Sequence, residues 1–287
     1  MKRSAPLLLA VALWSAPPAQ AGYLAFFRTT FGDMEVELFE QDKPATVRNF
    51  LYYTRQGYYQ NTLFHRCPTN YWGFTDFVAQ GGLLSVYNLA VAPQAYVIPT
   101  IAPITNEFFT GRFFSNSYGT IAMAKTSHPD SATSSFFFNL GDNSLSLDNT
   151  NNSGGFTVFG RVRRGTNTLN QFIGRYQNYG LQAIDFGSGY YFPDMPVNYY
   201  GYKPNIYFSD LVYATVELLE TSITRTNNAN LIRWRSVAGL LNQVETATNL
   251  PPVWRPLWSA TGNGAVMSHT DASDAAPLRL YRVRVDY

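Results

Sequence analysis

Three short segments of the sequence combine polar side chains with clusters of phenylalanine, a composition suited to holding an apolar group beside a charged donor. They are Phe64-His65-Arg66, the run from Phe77 to Gly82, and a longer block from Gly119 to Gly160. The guanidinium of Arg66 is always charged and presents several N–H donors in a rigid fork. A lone arginine most often forms only a surface ion pair, so its role depends on the residues around it.

Two other loops contain residue types found in active sites, but neither has the spacing that its chemistry requires. His128-Pro129-Asp130-Ser131 brings Ser, His and Asp together. Adjacency in sequence does not make a triad, and no G-x-S-x-G turn is present, so the sequence does not favour a hydrolase. Asp142-Asn143 and Asp148-Asn149 are calcium-ligand types, but no twelve-residue loop ending in Glu follows them, so we interpret them as loop residues.

Cysteine and histidine are too sparse for a disulfide or a zinc site. The chain contains 1 cysteine, Cys67, and 3 histidines, which are far apart in sequence. One cysteine cannot form an intramolecular disulfide, and no metal-ligand spacing is present. The sequence therefore predicts neither a metal nor a cofactor.

Composition and charge exclude two further classes of protein. Of the 287 residues, 46% are hydrophobic and 14% are charged, and the formal net charge is +2. A mainly disordered chain would be less hydrophobic and more highly charged. A net charge this small provides no broad field for nucleic acid, so we expect no nucleic-acid partner.

The phenylalanine-rich segments, in this order and with this rough spacing, resemble the cyclophilin family of peptidyl-prolyl cis-trans isomerases. The resemblance covers about residues 24–218. The blocks that carry it are Phe64-His65-Arg66, Phe77-Val78-Ala79-Gln80-Gly81-Gly82, Gly119 to Lys125, Ser131 to Asn139, Phe156 to Gly160, Pro44-x-x-Val47-x-Asn49-Phe50, Pro103-x-x-Asn106-Glu107-Phe108 and Asp194-x-Pro196-Val197.

The resemblance implies a mainly β fold: a closed eight-stranded antiparallel barrel with two capping helices and a substrate groove on its outer surface. The reaction it implies is rotation about the peptide bond before proline, so proline-containing polypeptides are the expected partners. Rotation about a peptide bond costs about 18–20 kcal/mol, and uncatalysed X-Pro exchange takes tens to hundreds of seconds. Because no bond is made or broken, the catalyst need only bind the twisted amide better than the planar forms.

The resemblance also assigns roles to residues of this chain. Arg66 takes the catalytic position, where a fixed donor stabilises the lone pair that the twisted prolyl nitrogen regains. Gln80 would bond the substrate backbone, and His65 would orient its neighbour rather than transfer a proton. The expected contacts of the proline ring and the peptide are Phe77, Val78, Phe137, Leu147, Phe156, Ala124 and Lys125. Phe136 and Phe138 alternate with Phe137 and should face the core.

The sequence departs from the family pattern at several positions around this site. Ser135 replaces the glutamine of S-Q-F-F, Ser146 stands where many members have an aromatic residue, and Phe156 replaces a residue that is often His or Tyr. The stretch 67–76 is longer than usual, and Leu83 replaces the aspartate of Q-G-G-D. We therefore predict retained but reduced activity and weakened cyclosporin binding.

A different class of function is also compatible with these departures: a non-catalytic peptide-binding or adhesive module built on a cyclophilin scaffold. The Tyr-rich residues 176–208 and the altered rim favour binding. Retention of Arg66 favours catalysis, because binding alone does not require it.

Periodicity places the elements that position these residues. Residues 24–39 read as a β-hairpin, with Met34, Val36 and Leu38 pointing inward. Asp42 is the expected cap of a helix that starts at Pro44 and ends at Gly57. A second helix is expected over 167–174, with an apolar side formed by Leu169, Phe172 and Ile173. Residues 176–208 read as a long ordered loop, and the strand 211–218 completes the domain.

The two ends of the chain have different characters. Residues 1–21 read as a signal peptide, with Lys2 and Arg3 before an apolar run and Ala19-Gln20-Ala21 as the cleavage site. We therefore expect export, to the periplasm or outside the cell, without membrane insertion. Residues 22–219 form the isomerase domain. Residues 220–287, with expected strands at 231–237, 242–248, 265–270 and 278–287, resemble a small fibronectin-like β-sandwich, which implies a cell-surface partner or an extension packed on the enzyme.

Overall fold

The strands of the chain fall into two groups, before and after Glu220. The computed structural model describes residues 23–68, 76–88, 93–175, 177–187, 189–226, 229–272 and 278–286. The predicted signal peptide, and residues 69–75 of the long stretch 67–76, lie outside the described residues. The strands before residue 220 are β1 (Leu24–Thr29), β2 (Gly32–Leu38), β3 (Thr62–Leu63), β4 (Val78–Gly81), β5 (Leu84–Asn88), β6 (Pro93–Val97), β7 (Thr120–Met123), β8 (Phe136–Asn139), β9 (Val158–Arg164), β10 (Leu181–Asp185), β11 (Tyr191–Pro196) and β12 (Tyr213–Leu219).

Most of these strands form one curled antiparallel sheet. Among the described residues it has ten strands, in the order β4-β8-β7-β9-β2-β1-β12-β3-β5-β6. The His65 N–H donates to the Gln80 carbonyl (3.0 Å), and the Gln80 N–H donates to the Arg66 carbonyl (2.8 Å). These bonds tie the segment after β3 to β4, which stands at the opposite end of the strand order. The expected mainly β architecture is confirmed, but the sheet is larger than the expected eight strands because the hairpin β5–β6 continues it beyond β3.

The core of the first domain lies inside this curled sheet. Alternate residues of each strand point inward, so Phe27 of β1 and Met34 of β2 are fully buried. Phe136 and Phe138 also face this core, as predicted: their rings lie 5.6 and 5.2 Å from that of Phe27. Phe137 between them points to the other face of β8, so the alternation of this strand separates core from candidate site.

Helix α1 (Pro44–Arg55) covers the core with Val47, Phe50 and Leu51, as predicted. Its first N–H groups are satisfied differently from the sequence prediction. The Glu107 carboxylate accepts the N–H of Ala45 (3.0 Å) and of Thr46 (2.8 Å), whereas Asp42 accepts the N–H of Arg112 (2.9 Å). The prediction that Asp42 caps the helix was therefore wrong, because a carboxylate 62 residues away occupies that position. The helix ends as expected, with Gly57 at a positive φ of 74°.

The remaining helices are short: α2 (Ser144–Leu147), which the sequence analysis did not predict, and α3 (Thr166–Asn170). The helix predicted over 167–174 is thus one residue earlier at its start and ends in a turn after Asn170. Leu169 and Phe172 are buried as predicted, but Ile173 is 40% exposed.

Residues 176–208 contain a two-stranded sheet, β10–β11, rather than only a loop. Their apolar side chains pack with β5 in a separate small core that includes Val86, Ile184 and Met195. The buried guanidinium of Arg175 lies between the rings of Phe31 (4.2 Å) and Tyr200 (4.9 Å). These contacts attach the segment to the first domain.

The C-terminal residues form two small sheets that share a core. The strands are β13 (Thr221–Thr226), β14 (Ala229–Arg235), β15 (Leu241–Ala247), β16 (Arg255–Thr261), β17 (Val266–Asp271) and β18 (Leu280–Asp286), in the orders β13-β14-β17 and β16-β15-β18. Trp234 and Trp258 meet between the sheets, with ring centroids 5.6 Å apart. The same core includes Phe26 and Leu219 from the outer face of β1 and β12. The C-terminal sheets therefore pack directly on the first domain, and the fibronectin-like resemblance stays a prediction.

Each helix in the part of the chain that the structure describes is too short or too polar to cross a membrane. Within the same residues, His, Cys, Asp and Glu side chains do not gather in groups of three that could hold a metal ion.

Candidate active site

A row of paired residues crosses the outer face of the sheet at its β4 end. Arg66 pairs with Gln80 of β4, Gln80 with Phe137 of β8, Phe137 with Ala122 of β7, and Ala122 with Val158 of β9. Directly paired residues in an antiparallel sheet place their Cβ atoms about 4.5–5.5 Å apart on one face. The pairing therefore sets a cation, an amide and an apolar surface side by side.

Arg66 stands at the open end of this row. Its carbonyl accepts the N–H of Gln80 (2.8 Å), and the preceding His65 N–H donates to the Gln80 carbonyl, while the Arg66 side chain is 50% exposed. The nearest acid is Asp194 of β11, whose Oδ2 lies 3.7 Å from the arginine Nε. The arrangement gives a fixed backbone and a solvent-accessible guanidinium.

The apolar part of the row continues as a cluster on the outer face. Six of the predicted contact residues meet there, three buried and three half-buried: Val78, Phe137, Leu147, Phe77, Ala124 and Phe156. The Phe137 and Phe156 rings lie edge to face, with centroids 5.8 Å apart. Ser146, where the resemblance expects an aromatic residue, is exposed.

Four residues of this cluster were missed from the sequence: the buried Ala122 and Val158 and the half-buried Phe39 and Phe114. Ala122 and Val158 contribute its base and are both buried. Each lies two positions from a predicted contact residue, Ala124 or Phe156, on the same strand or its extension. The period of two in a strand places such residues on the same face, so the pattern contained the signal.

Hydrogen bonds hold the side chain of Lys125 at the rim of the cluster. Its ammonium donates to the Gly155 carbonyl (2.6 Å) and to the Ser153 carbonyl, and lies 4.9 Å from the centre of the Phe156 ring. Burial lowers its pKa to about 8. The Ala124 N–H donates to the Ser135 carbonyl (2.9 Å), so this donor is used inside the fold.

His65 does not join the cluster. It is 3% exposed and its ring packs 5.2 Å from that of Phe192, because neighbouring residues of an extended segment point to opposite faces. Burial lowers its pKa to about 4, the backbone of Leu63 opposes this shift, and the nearby Arg66 charge adds to it. The imidazole is therefore neutral near pH 7, which suits a packing role and not proton transfer.

A chain of amide side chains runs beneath the cluster. The Asn143 Nδ2 donates to the Phe77 carbonyl (2.7 Å) and to Asn139 Oδ1 (2.8 Å). The Asn139 Nδ2 donates to Asn116 Oδ1 (3.1 Å), and the Asn116 Nδ2 donates to the Phe156 carbonyl (2.9 Å).

The far end of this network is anchored by Asp148, whose Oδ1 accepts both the N–H (3.0 Å) and the side-chain amide (2.8 Å) of Asn116. The network thus connects the backbone of two pocket walls, Phe77 and Phe156. Sequence reasoning interpreted Asn143 and Asp148 as ordinary loop residues, since their partners lie on distant segments.

Comparison with known proteins identifies the family. A profile described as cyclophilin type peptidyl-prolyl cis-trans isomerase/CLD matches residues 24–178. The peptidyl-prolyl cis-trans isomerase of Acinetobacter baylyi is 34% identical over 173 residues, covering 58% of this chain and 84% of that protein. Peptidyl-prolyl cis-trans isomerase B of Escherichia coli is 37% identical over 150 residues, covering 52% of this chain and 82% of that protein. A crystal structure of a Cryptosporidium parvum cyclophilin type peptidyl-prolyl cis-trans isomerase with the dipeptide Ala-Pro is 20% identical, has a TM-score of 0.43 and covers 67% of this chain and 96% of that one. The profile match and the two relatives show that the chain belongs to the cyclophilin-type peptidyl-prolyl cis-trans isomerases, the family predicted from its sequence blocks.

Proposed function

We propose that this isomerase accelerates X-Pro rotation in exported polypeptides, with Arg66 as the donor to the prolyl nitrogen and the outer-face cluster as the proline pocket. The observation that carries the assignment is the paired row Arg66–Gln80–Phe137, which sets an accessible guanidinium beside a buried apolar surface. Isomerase activity itself follows from membership of the family and from its named relatives.

The proposed mechanism uses selective binding of the twisted amide. The apolar cluster holds the proline ring while the preceding residue rotates, and Gln80 bonds the substrate backbone. As the C–N bond loses its double-bond character, the prolyl nitrogen becomes pyramidal and accepts a hydrogen bond from the Arg66 guanidinium. This bond is stronger in the twisted state than in either planar state, so it lowers the barrier. No proton changes place, in agreement with the neutral, buried His65.

The size of the Arg66 effect follows from the type of bond that is lost. A hydrogen bond to a charged group contributes about 1.5–3 kcal/mol, and about 1.4 kcal/mol corresponds to a tenfold change in rate. We therefore expect Arg66→Ala to lower kcat/KM by about 10- to 100-fold.

NMR exchange spectroscopy on an X-Pro peptide with the mature full-length chain tests this proposal. Arg66→Ala should lose most of the acceleration. Arg163→Ala, which removes an exposed arginine paired with Glu37 at 3.5 Å, is the control and should keep it. Equal activity of the Arg66→Ala variant and the wild type would refute the assigned donor. Peptide binding without any acceleration by the wild type would support the alternative of a non-catalytic peptide-binding module.

Two further parts of the proposal concern the ends of the chain. We propose that residues 1–21 direct export and that the mature protein works in the periplasm or outside the cell; the support is the charged, apolar and A-x-A pattern of these residues. N-terminal sequencing of the exported protein tests it, with a start at Gly22 or Tyr23 expected.

For residues 220–287 we propose a fibronectin-like module that extends the enzyme. Its own Trp234–Trp258 core supports a separate module, and the burial of Phe26 in that core supports a fixed position on the first domain. A cell-surface partner remains a prediction for this module, tested by pull-down with intact cells.

A further inference from the structure

The strand β11 lies along the segment that carries Arg66. The Cys67 N–H donates to the Asp194 carbonyl (2.9 Å), and the His65 ring packs 5.2 Å from that of Phe192. Between these two contacts the Asp194 carboxylate lies 3.7 Å from the Arg66 Nε. Three consecutive residues, 65–67, are thus each in contact with residues 192–194.

This placement restricts an otherwise mobile side chain. An arginine has a long flexible stem, and a donor that acts on one atom of the substrate must be held in orientation before the reaction. The Arg66 backbone is fixed by Gln80, but its side chain is 50% exposed, whereas that of Asp194 is only 25% exposed. A carboxylate withdrawn from solvent in this way attracts the guanidinium more strongly than one in bulk water.

The point of contact also matters for catalysis. Among the described residues, the Asp194 carboxylate faces the Nε side of Arg66 at 3.7 Å, an ion-pair distance, and no hydrogen bond occupies the Nη groups. An arginine has five N–H donors, so holding Nε leaves the Nη donors for the prolyl nitrogen. The carboxylate therefore sits where it orients the guanidinium without occupying the donors that the reaction uses.

We propose that Asp194 is a positioning residue for the isomerase reaction, which holds the guanidinium of Arg66 in its working orientation. The inference rests on the proposed role of Arg66. It also gives a function to the Tyr-rich segment 176–208: its strand β11 supplies a wall of the site.

Asp194→Asn is the direct test, because it removes the charge and keeps the shape. A half-exposed ion pair contributes a factor of about five to a conformational population. We expect kcat to fall about fivefold with KM nearly unchanged, because the bond to the prolyl nitrogen exists only in the twisted state. Asp194→Glu, which keeps a carboxylate, should restore part of the lost kcat. An unchanged or higher kcat for Asp194→Asn overturns the proposal.

The control is Asp210→Asn. Asp210 lies in the turn 208–210, which follows β11 in sequence. Its carboxylate also pairs with a cation, Lys203 at 2.6 Å, without contacting Arg66. It should alter stability and leave kcat unchanged. A fivefold loss of kcat in both variants would indicate a general disturbance of the segment and would overturn the positioning role.

The Arg66→Ala background separates this proposal from the proposed function. If Asp194 acts through Arg66, Asp194→Asn has no further effect in that background; a further fivefold loss there overturns the proposal. Full activity of the single Arg66→Ala variant would instead refute the proposed donor.

A measurement on the wild type covers the case in which the Asp194 variants fail to fold. The ¹⁵N signal of the Arg66 Nε, assigned by its loss in Arg66→Lys, should show the high heteronuclear NOE of a restrained side chain. A value near zero in the folded wild type overturns the proposal.

Discussion

Acidification of the protein tests the buried, neutral state of His65, which agrees with a mechanism that moves no proton. Burial lowers the pKa of this imidazole from 6.5 to about 4. In the unfolded chain the ring is exposed and its pKa returns to about 6.5. As the pH falls below 6.5, the unfolded state therefore takes up a proton that the folded state does not accept until about pH 4.

The sign and size of the effect follow from this difference. The stabilisation linked to His65 is fully present above pH 6.5 and is lost progressively as the pH falls to about 4. Each pH unit in this interval changes the free energy of unfolding by about 1.4 kcal/mol, so the total loss is about 3 kcal/mol. Small domains unfold with only about 5–15 kcal/mol, which makes this loss easily measurable.

The assay is urea unfolding at several pH values between about 7.5 and 4.5, comparing the wild type with His65→Gln, which does not titrate. Asp33, Glu35 and Asp194, whose pKa values are raised mainly by burial, act in the opposite direction but are common to both proteins. The wild type should therefore lose up to about 3 kcal/mol more than the variant as the pH falls. Parallel curves would refute the buried neutral imidazole, as would a His65 NMR titration near pH 6.5.

Three substitutions test packing contacts, two of them next to the site and one between the first domain and the C-terminal sheets. Asn143→Leu removes the bond to the Phe77 carbonyl (2.7 Å) and leaves buried polar groups unpaired. We expect urea unfolding to show a free energy of unfolding lower by about 1–3 kcal/mol, and we expect a higher KM. An unchanged KM would contradict the supporting role. Phe26→Ala removes the ring that packs against the C-terminal sheets, at a cost of about 3–5 kcal/mol in the free energy of unfolding. Calorimetry should then resolve two unfolding transitions where the wild type has one. A single transition would show that this contact does not couple the unfolding of the first domain to that of the C-terminal sheets. Gly155 has a φ of 75°, and a Cβ added there by Gly155→Ala would lie 2.7 Å from the ring of Phe108. Gly187 has a similar φ of 76°, but a Cβ added there meets nothing within 4 Å. Gly155→Ala should therefore lower the melting temperature clearly more than Gly187→Ala. Equal melting temperatures for these two alanine variants would show that the ring moves freely aside, since the backbone strain of about 1–2 kcal/mol is shared.

Much of the candidate site was predictable because it depends on local pattern. The alternation in Phe136-Phe137-Phe138 separates core from pocket within one strand, and the structure follows it. Such patterns are read correctly since neighbouring residues of a strand always point to opposite faces, whatever the rest of the chain does.

Other features could not be predicted because their partners are distant in sequence. Glu107 caps helix α1 in place of the nearer Asp42, and Asn143 bonds the carbonyl of Phe77, 66 residues away. Both contacts require loops of the chain to meet in one register, which depends on how the whole sheet curls.

The sequence by itself determined the family, the mainly β class and the strand alternation that separates Phe137 from its core-facing neighbours. Only the tertiary structure decided that β5–β6 extends the sheet to ten strands, that Asp194 of β11 reaches Arg66, and that the C-terminal sheets bury Phe26. The physical reason is the range of the interactions: side-chain alternation is set by the geometry of two successive residues. Pairing across more than a hundred residues is instead chosen by the combined packing of surfaces that no local pattern contains.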